Sequence, residues 1–87
     1  MVSREVKIVN SIGLHARPAT FFIQKANFFK SNVWVEKDDR KVNAKSLLGV
    51  LSLGIAKGMT INIIAEGVDE EVALEGLCAL IESGFEE

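Results

Sequence analysis

The hydrophobic pattern of this chain switches repeatedly between a period of two and a period near 3.6, and that alternation constrains the fold more than any other feature. Glu5-Val6-Lys7-Ile8-Val9 alternates, with Val6 and Ile8 pointing one way and Glu5 and Lys7 the other, as in a half-buried strand. Asn10-Ser11-Ile12-Gly13-Leu14 breaks the pattern as a loop. Pro18 then marks a helix start, because its missing N–H costs nothing at the first helical position. Ala19, Phe22, Ile23 and Ala26 follow at helical spacing, which predicts a helix over about residues 17–27. Val33-Trp34-Val35-Glu36-Lys37 is a second alternating strand, Asp38-Asp39-Arg40 a polar turn, and Lys41-Val42-Asn43-Ala44 a third strand closing a hairpin. Ser46 is placed to cap a short helix carrying Leu47, Leu48, Val50 and Leu51. Thr60-Ile61-Asn62-Ile63-Ile64-Ala65 is a fourth strand. Asp69 is a candidate N-cap for a last helix with Glu70 and Glu71 in its first turn and Leu74, Leu77, Cys78 and Ile81 as its stripe, ending near Gly84.

The predicted order is therefore β-α-β-β-α-β-α. Each strand has one apolar face and each long helix one apolar stripe, which fits an α+β architecture: a four-stranded, mostly antiparallel sheet with three helices packed on one face. With 87 residues the chain is long enough for one domain, 1–87, and too short for two. A core of this size supports a surface site or a shallow groove more readily than a deep enclosed one. No apolar run is long enough to span a bilayer, and residues 1–7 alternate charged with apolar side chains and lack a signal-peptide core, so a cytoplasmic location is expected. The single Cys78 has no internal partner for a disulfide, which suits a reducing compartment.

Charge is unevenly distributed. Residues 1–57 hold all ten Lys and Arg against four acids, a net of +6, while residues 58–87 hold eight acids and no Lys or Arg, a net of −8. If the fold separates these segments, one face is basic and suits an acidic protein or a phosphate. Direct nucleic-acid binding is disfavoured by the overall charge of −2 and by the lack of a basic motif interleaved with aromatics.

Chemistry centres on His15, in Gly13-Leu14-His15-Ala16-Arg17-Pro18-Ala19 between a loop and the first helix. Imidazole titrates near neutrality, so a ring nitrogen is available as a nucleophile. A helix N-terminus offers free backbone N–H groups to an anion. Arg17 adds a planar fork that matches phosphate oxygens. A metal role is disfavoured, since there is no second His and no Cys pair. No serine-protease-type triad, phosphate-cradling glycine loop or carboxylate pair suggests a hydrolase or kinase.

Ser11-Ile12-Gly13-Leu14-His15-Ala16-Arg17-Pro18-Ala19 resembles the phosphorylation-site motif of HPr, the histidine-containing phosphocarriers of the bacterial sugar phosphotransferase system. The likeness continues through Val42-Asn43-Ala44-Lys45-Ser46-Leu47-Leu48-Gly49-Val50-Leu51-Ser52-Leu53-Gly54. It implies an HPr-like open-faced β-sandwich and a carrier, not an enzyme, with no cofactor of its own. By this resemblance His15 would take a phosphoryl group on Nδ1 from Enzyme I and give it to the IIA component of a sugar transporter. Arg17 would steady that group.

The resemblance is to the low-GC Gram-positive type, in which the serine matching Ser46 is phosphorylated by an ATP-dependent HPr kinase/phosphorylase and the product binds a catabolite repressor. Phosphorylation at Ser46 would then slow transfer to His15 by repelling an acidic Enzyme I surface. Phe21, Lys45, Leu47, Leu48 and Leu51 would form the partner-binding surface, an apolar patch ringed by Lys45 and Arg17. One of Leu47 and Leu48 is expected in the core and the other in solvent. Leu47-Leu48 stands where many relatives have Ile-Met, and Phe21 where a smaller aliphatic side chain is common. A monomer is the default expectation. The competing reading is an HPr-like regulatory module acting only through phospho-Ser46; such relatives lack the active histidine, whereas His15 and Arg17 are both present here. Elsewhere, Trp34 and Ile64 are expected to pair on the open sheet face if their strands are neighbours. Cys78 is expected to pack as a small hydrophobe.

Overall fold

The computed structural model describes residues 1–86. The elements run β1 (Val2–Lys7), α1 (Ala16–Phe28), β2 (Asn32–Lys37), β3 (Arg40–Asn43), α2 (Leu47–Ser52), β4 (Thr60–Glu66) and α3 (Glu70–Glu82), followed by a 3-10 turn at Gly84–Glu86. This is the order expected from the hydrophobic periodicity. The four strands form one antiparallel sheet in the order β1-β4-β2-β3, so the last strand in sequence lies inside it. Val6 pairs with Ile61 and Val35 with Ile63, and all four side chains enter the core on the helical side. Phe22, Ala26, Leu77, Cys78 and Ile81 cover them from α1 and α3. Trp34 and Ile64 are directly opposite in the register, as expected, on the uncovered face, where the Lys41 ammonium lies 5.3 Å from the Trp34 ring centre.

Several boundaries differ from the sequence reading, β3 for instance running Arg40–Asn43. β1 begins at Val2 and ends at Lys7, and Val9 is exposed rather than in a strand. The chain still follows the edge of the sheet for one more residue: Ile8 N–H donates to the Met59 carbonyl at 2.9 Å and the Ile8 carbonyl accepts from Gly58 at 2.8 Å. Pro18 is the third helical residue rather than the first, since α1 starts at Ala16. Its missing N–H is equally harmless there, because the first-turn amides have no intrahelical acceptor.

Asp69 does not cap α3 with its side chain. The carboxylate instead reaches across the structure and accepts from the amides of Lys30 and Ser31, each at 2.9 Å, and from the Ser31 hydroxyl. It thereby ties the end of α1 to the turn before α3. The backbones meet closely here: a Cβ on Gly67 would lie 2.7 Å from Ser31 Cα. Donors from a distant loop satisfy the acid better than the helix amides would, because three of them converge on it.

The charge split also resolves differently from the expectation of opposed faces. α1 carries Arg17 and Lys25, α3 carries Glu71, Glu75 and Glu82, and the two helices are neighbours in the same layer. Basic and acidic strips run side by side.

The Asp69 carboxyl is pulled from 3.8 to about 2, first by the Ser31 hydroxyl and next by the Lys30 amide. A depressed carboxyl stabilises the fold above its ordinary value, and that contribution disappears as pH falls from about 4 to about 2. Asp69→Asn should therefore melt lower than the parent at neutral pH and show a shallower loss across that acid range. Parallel pH profiles for the two proteins in thermal melts would contradict this role.

Candidate functional site

The loop before α1 is pinned from three directions. Asn10 is buried; its side-chain amide donates to the Gly13 carbonyl at 2.7 Å, while Gly13 N–H returns to the Asn10 carbonyl at 3.3 Å. Gly13 has φ +65°, and a Cβ there would stand 2.5 Å from the Ile55 carbonyl oxygen and 2.6 Å from Ala56 Cα. Only glycine allows both that conformation and that approach. Leu14 is buried and donates its N–H to the same Ile55 carbonyl at 3.0 Å. The next residue, His15, is delivered to the surface in an extended conformation as the N-cap of α1 (φ −80°, ψ −174°).

His15 is exposed, and its ring makes no capping bond to the helix. Its carbonyl accepts from Ala19 at 2.9 Å, which starts the helical ladder. Pro18 has no N–H, so Ala16 and Arg17 carry the free first-turn amides beside the imidazole. The first turn contains no acid, so no side chain of its own offsets the positive end of the helix dipole. His15 shares an open depression with Leu14, Ala16, Leu51, Gly54, Ile55 and Ala56. A nucleophilic nitrogen, two amides and a dipole end thus converge at one exposed point, an arrangement that suits an anionic group attached to the ring.

Arg17 is exposed one turn-edge away, with its guanidinium carbon 5.9 Å from the Phe21 ring centre. Arg17 and Phe21 border a different groove, between α1 and α3. The arginine rests on an aromatic shelf.

Of the residues expected to bind partners, Leu51 is half-buried and lines the His15 depression. Phe21 is exposed, as expected, while Phe22 is in the core. Leu47 and Leu48 both face solvent, at 40% and 81% exposure, so neither is the core residue expected of the pair. Val50 fills that role, with Leu51 packed at the margin. Lys45 does not ring the patch: its ammonium donates to the Phe29 carbonyl at 2.9 Å, at the far end of α1 from His15. The exposed C-terminal carbonyl of a helix is a strong acceptor for a cation. Ser46 caps α2 as expected, its hydroxyl accepting from Gly49 N–H at 3.1 Å. Since Lys45 touches the end of α1 and Leu51 its start, α2 runs back along α1 toward His15.

Two contributors escaped the sequence reading. Asn10 looks like any polar loop residue, and nothing local shows that its amide is buried. Ile55 and Ala56 follow the second motif without a distinctive pattern, though the glycine at position 13 signals that some backbone must come close.

Residues 2–83 match the family described as PTS-HPr, PTS HPr component phosphorylation site. The chain belongs to that family. Its members are phosphocarriers rather than catalytic enzymes. The chain is 51% identical to the HPr-like protein Crh of Halalkalibacterium halodurans over 82 residues, 94% of this chain and 98% of that protein. It is 44% identical to the phosphocarrier protein HPr of Neisseria meningitidis serogroup A over 100% of this chain and 98% of that one. The crystal structure of HPr-C-His from Thermoanaerobacter tengcongensis superposes with a TM-score of 0.98 at 52% identity, covering 100% of this chain and 98% of that one. Among the described residues no helix is long and apolar enough to cross a membrane.

Because the Gly13 contact leaves no room for a methyl group, Gly13→Ala should destabilise the fold by about 1–3 kcal/mol. Urea denaturation gives the measurement; an unchanged midpoint would mean that the loop at 55–56 yields freely.

Proposed function

We propose that this chain is the phosphocarrier of a sugar phosphotransferase system, accepting a phosphoryl group on His15 from phospho-Enzyme I and passing it to a IIA component in the cytoplasm. The observation that carries this is the exposed His15 at the N-cap of α1, whose side chain makes no capping bond and whose first helical turn holds no acid. Attack by the neutral ring nitrogen on a phosphohistidine donor forms one N–P bond as another breaks. The amides of Ala16 and Arg17 would hold the phosphoryl oxygens, and the Arg17 guanidinium would move from Phe21 onto them. Leu47, Leu48 and Leu51 would supply the apolar docking area, with Phe21 at its border.

Ser46 is proposed as a regulatory phosphorylation site for an HPr kinase/phosphorylase, with a catabolite repressor as reader. Ser46 lies five residues from Leu51 along a short helix, about 7.5 Å at 1.5 Å per residue, comparable to the Debye length of about 8 Å. A phosphate there would act on an approaching acidic partner more than on the His15 ring. The second reading, a module that works through phospho-Ser46 alone, draws support from the Crh relatives, at 51% and 48% identity.

Intact-mass spectrometry after incubation with Enzyme I, magnesium and phosphoenolpyruvate separates the readings. The expected result is one phosphoryl group, lost in acid and absent from His15→Ala, which should fold normally because the ring is exposed. No gain with a demonstrably active Enzyme I would favour the regulatory module. Arg17→Ala should fold but transfer roughly 10–100-fold more slowly. Ser46→Asp should slow transfer mainly at low salt; a defect independent of salt would point to damage to α2.

A further inference from the structure

One side of α1 carries Arg17, Phe21, Gln24, Lys25 and Phe28 at helical spacing. With Leu80 of α3 and with Phe85 they line a groove between the two helices, open over about 550 Å³, a volume within the range of small-molecule sites. The groove is separate from the His15 depression. Phe85 walls it at the end of α3. Gly84 and Phe85 both have positive φ, +69° and +57°. That conformation is easy for glycine and costly for phenylalanine, yet the Phe85 ring is buried, and its burial offsets the strain. At the other end Gly76 carries no side chain to fill the space beside Phe28 and Val72, which are 79% and 64% exposed. Charge is uneven along this slot. Lys25 lies opposite Glu75 and is offset by it. Arg17 forms no ion pair among the described residues, its guanidinium carbon lying 5.9 Å from the Phe21 ring centre, and no acid among them lines the groove beside it.

We propose that the groove binds a fatty carboxylate, with its head group on Arg17 and its acyl chain running along Phe21 and Leu80 toward Phe28. The dimensions select an acyl chain over a peptide. From Arg17 to Phe28 the groove runs about 16 Å, so 550 Å³ gives a mean section of about 34 Å², against about 80 Å² for a helix 10 Å across. A docked helix would rest on the rims and miss the floor. An extended peptide would gain little, because the sides of helices offer its backbone no hydrogen-bond partners and burying those groups unpaired is costly. An alkyl chain has no polar group to satisfy and is thin enough for the slot. The single uncompensated cation then sets the sign and the orientation: a carboxylate presents two oxygens to the planar fork of Arg17.

Amide spectra of the full chain, titrated with dodecanoate below its micelle concentration, test this. Shifts should saturate with a Kd of roughly 10–100 μM and map to α1, the second half of α3 and Phe85. Dodecylammonium, with the same chain and the opposite charge, should bind roughly tenfold more weakly or less. Arg17→Ala should weaken dodecanoate by roughly tenfold. Phe28→Ala, at a side chain exposed enough to leave the fold intact, should weaken it by roughly 3–10-fold. Equal affinity for the two amphiphiles, shifts centred on Leu47 and Leu48 or on the open sheet face, or no saturable shift up to roughly 1 mM would each overturn the proposal. Capture of the chain by phosphatidylglycerol vesicles without binding of soluble dodecanoate would overturn it as well, and would mark a membrane-facing surface instead.

Discussion

Strand β4 holds the two ends of the fold together. Among the described residues, β1 pairs with no other strand, and the β2–β3 hairpin joins β1 only through β4. The backbone bonds of Ile8 to Gly58 and Met59 extend that junction, and the Leu14–Ile55 bond extends it again into the loop before His15. The placement of the candidate nucleophile is therefore downstream of a long-range pairing that cannot form until residue 66 is available. Such non-local contacts cost loop-closure entropy before they return stabilisation. Before β4 inserts, α1 and the hairpin can share only the contacts that run through α2.

Tight backbone approaches set the geometry around this junction. Gly13 against Ile55 and Ala56, and Gly67 against Ser31, are places where two chain segments touch with no side chain between them. The first aims His15 outward. The second brings the Asp69 carboxylate to the amides that follow α1. Both use a glycine's missing Cβ, and both fix a distance that side-chain packing alone would leave soft.

Element types were legible in the sequence because each long element repeats its pattern at least twice: Val33 and Val35 for β2, Leu74, Leu77, Cys78 and Ile81 for α3. The Ser46 cap was legible because its acceptor and donor are three residues apart. Asp69 does stand at the N-cap of α3, but the destination of its carboxylate was not legible, for the complementary reason. Its partners lie 38 and 39 residues away, and a carboxylate takes the best set of donors, not the nearest. Lys45 likewise reaches Phe29 across 16 residues. The Leu47-Leu48 pair defeated periodicity because a helix of six residues has too few turns to define a buried face, and Val50 filled the core alone. The placement of His15 and Arg17 at the exposed start of α1 was legible from Pro18 and the helical spacing after it. That Arg17 rests on Phe21 was not, since only the side-chain geometry shows it.

The depression around His15 is open, walled on one side by Leu51 and the 54–56 loop and with no lid among the described residues. A phosphoramidate of the kind proposed would stay wet there. Its lifetime would then be set by the intrinsic lability of the N–P linkage and by how soon the next protein arrived, because the fold gives the site little shelter. On the proposed reading such a chain would act as a short-lived courier rather than a store, and the openness that would admit two partners in turn would be the same openness that starts its clock.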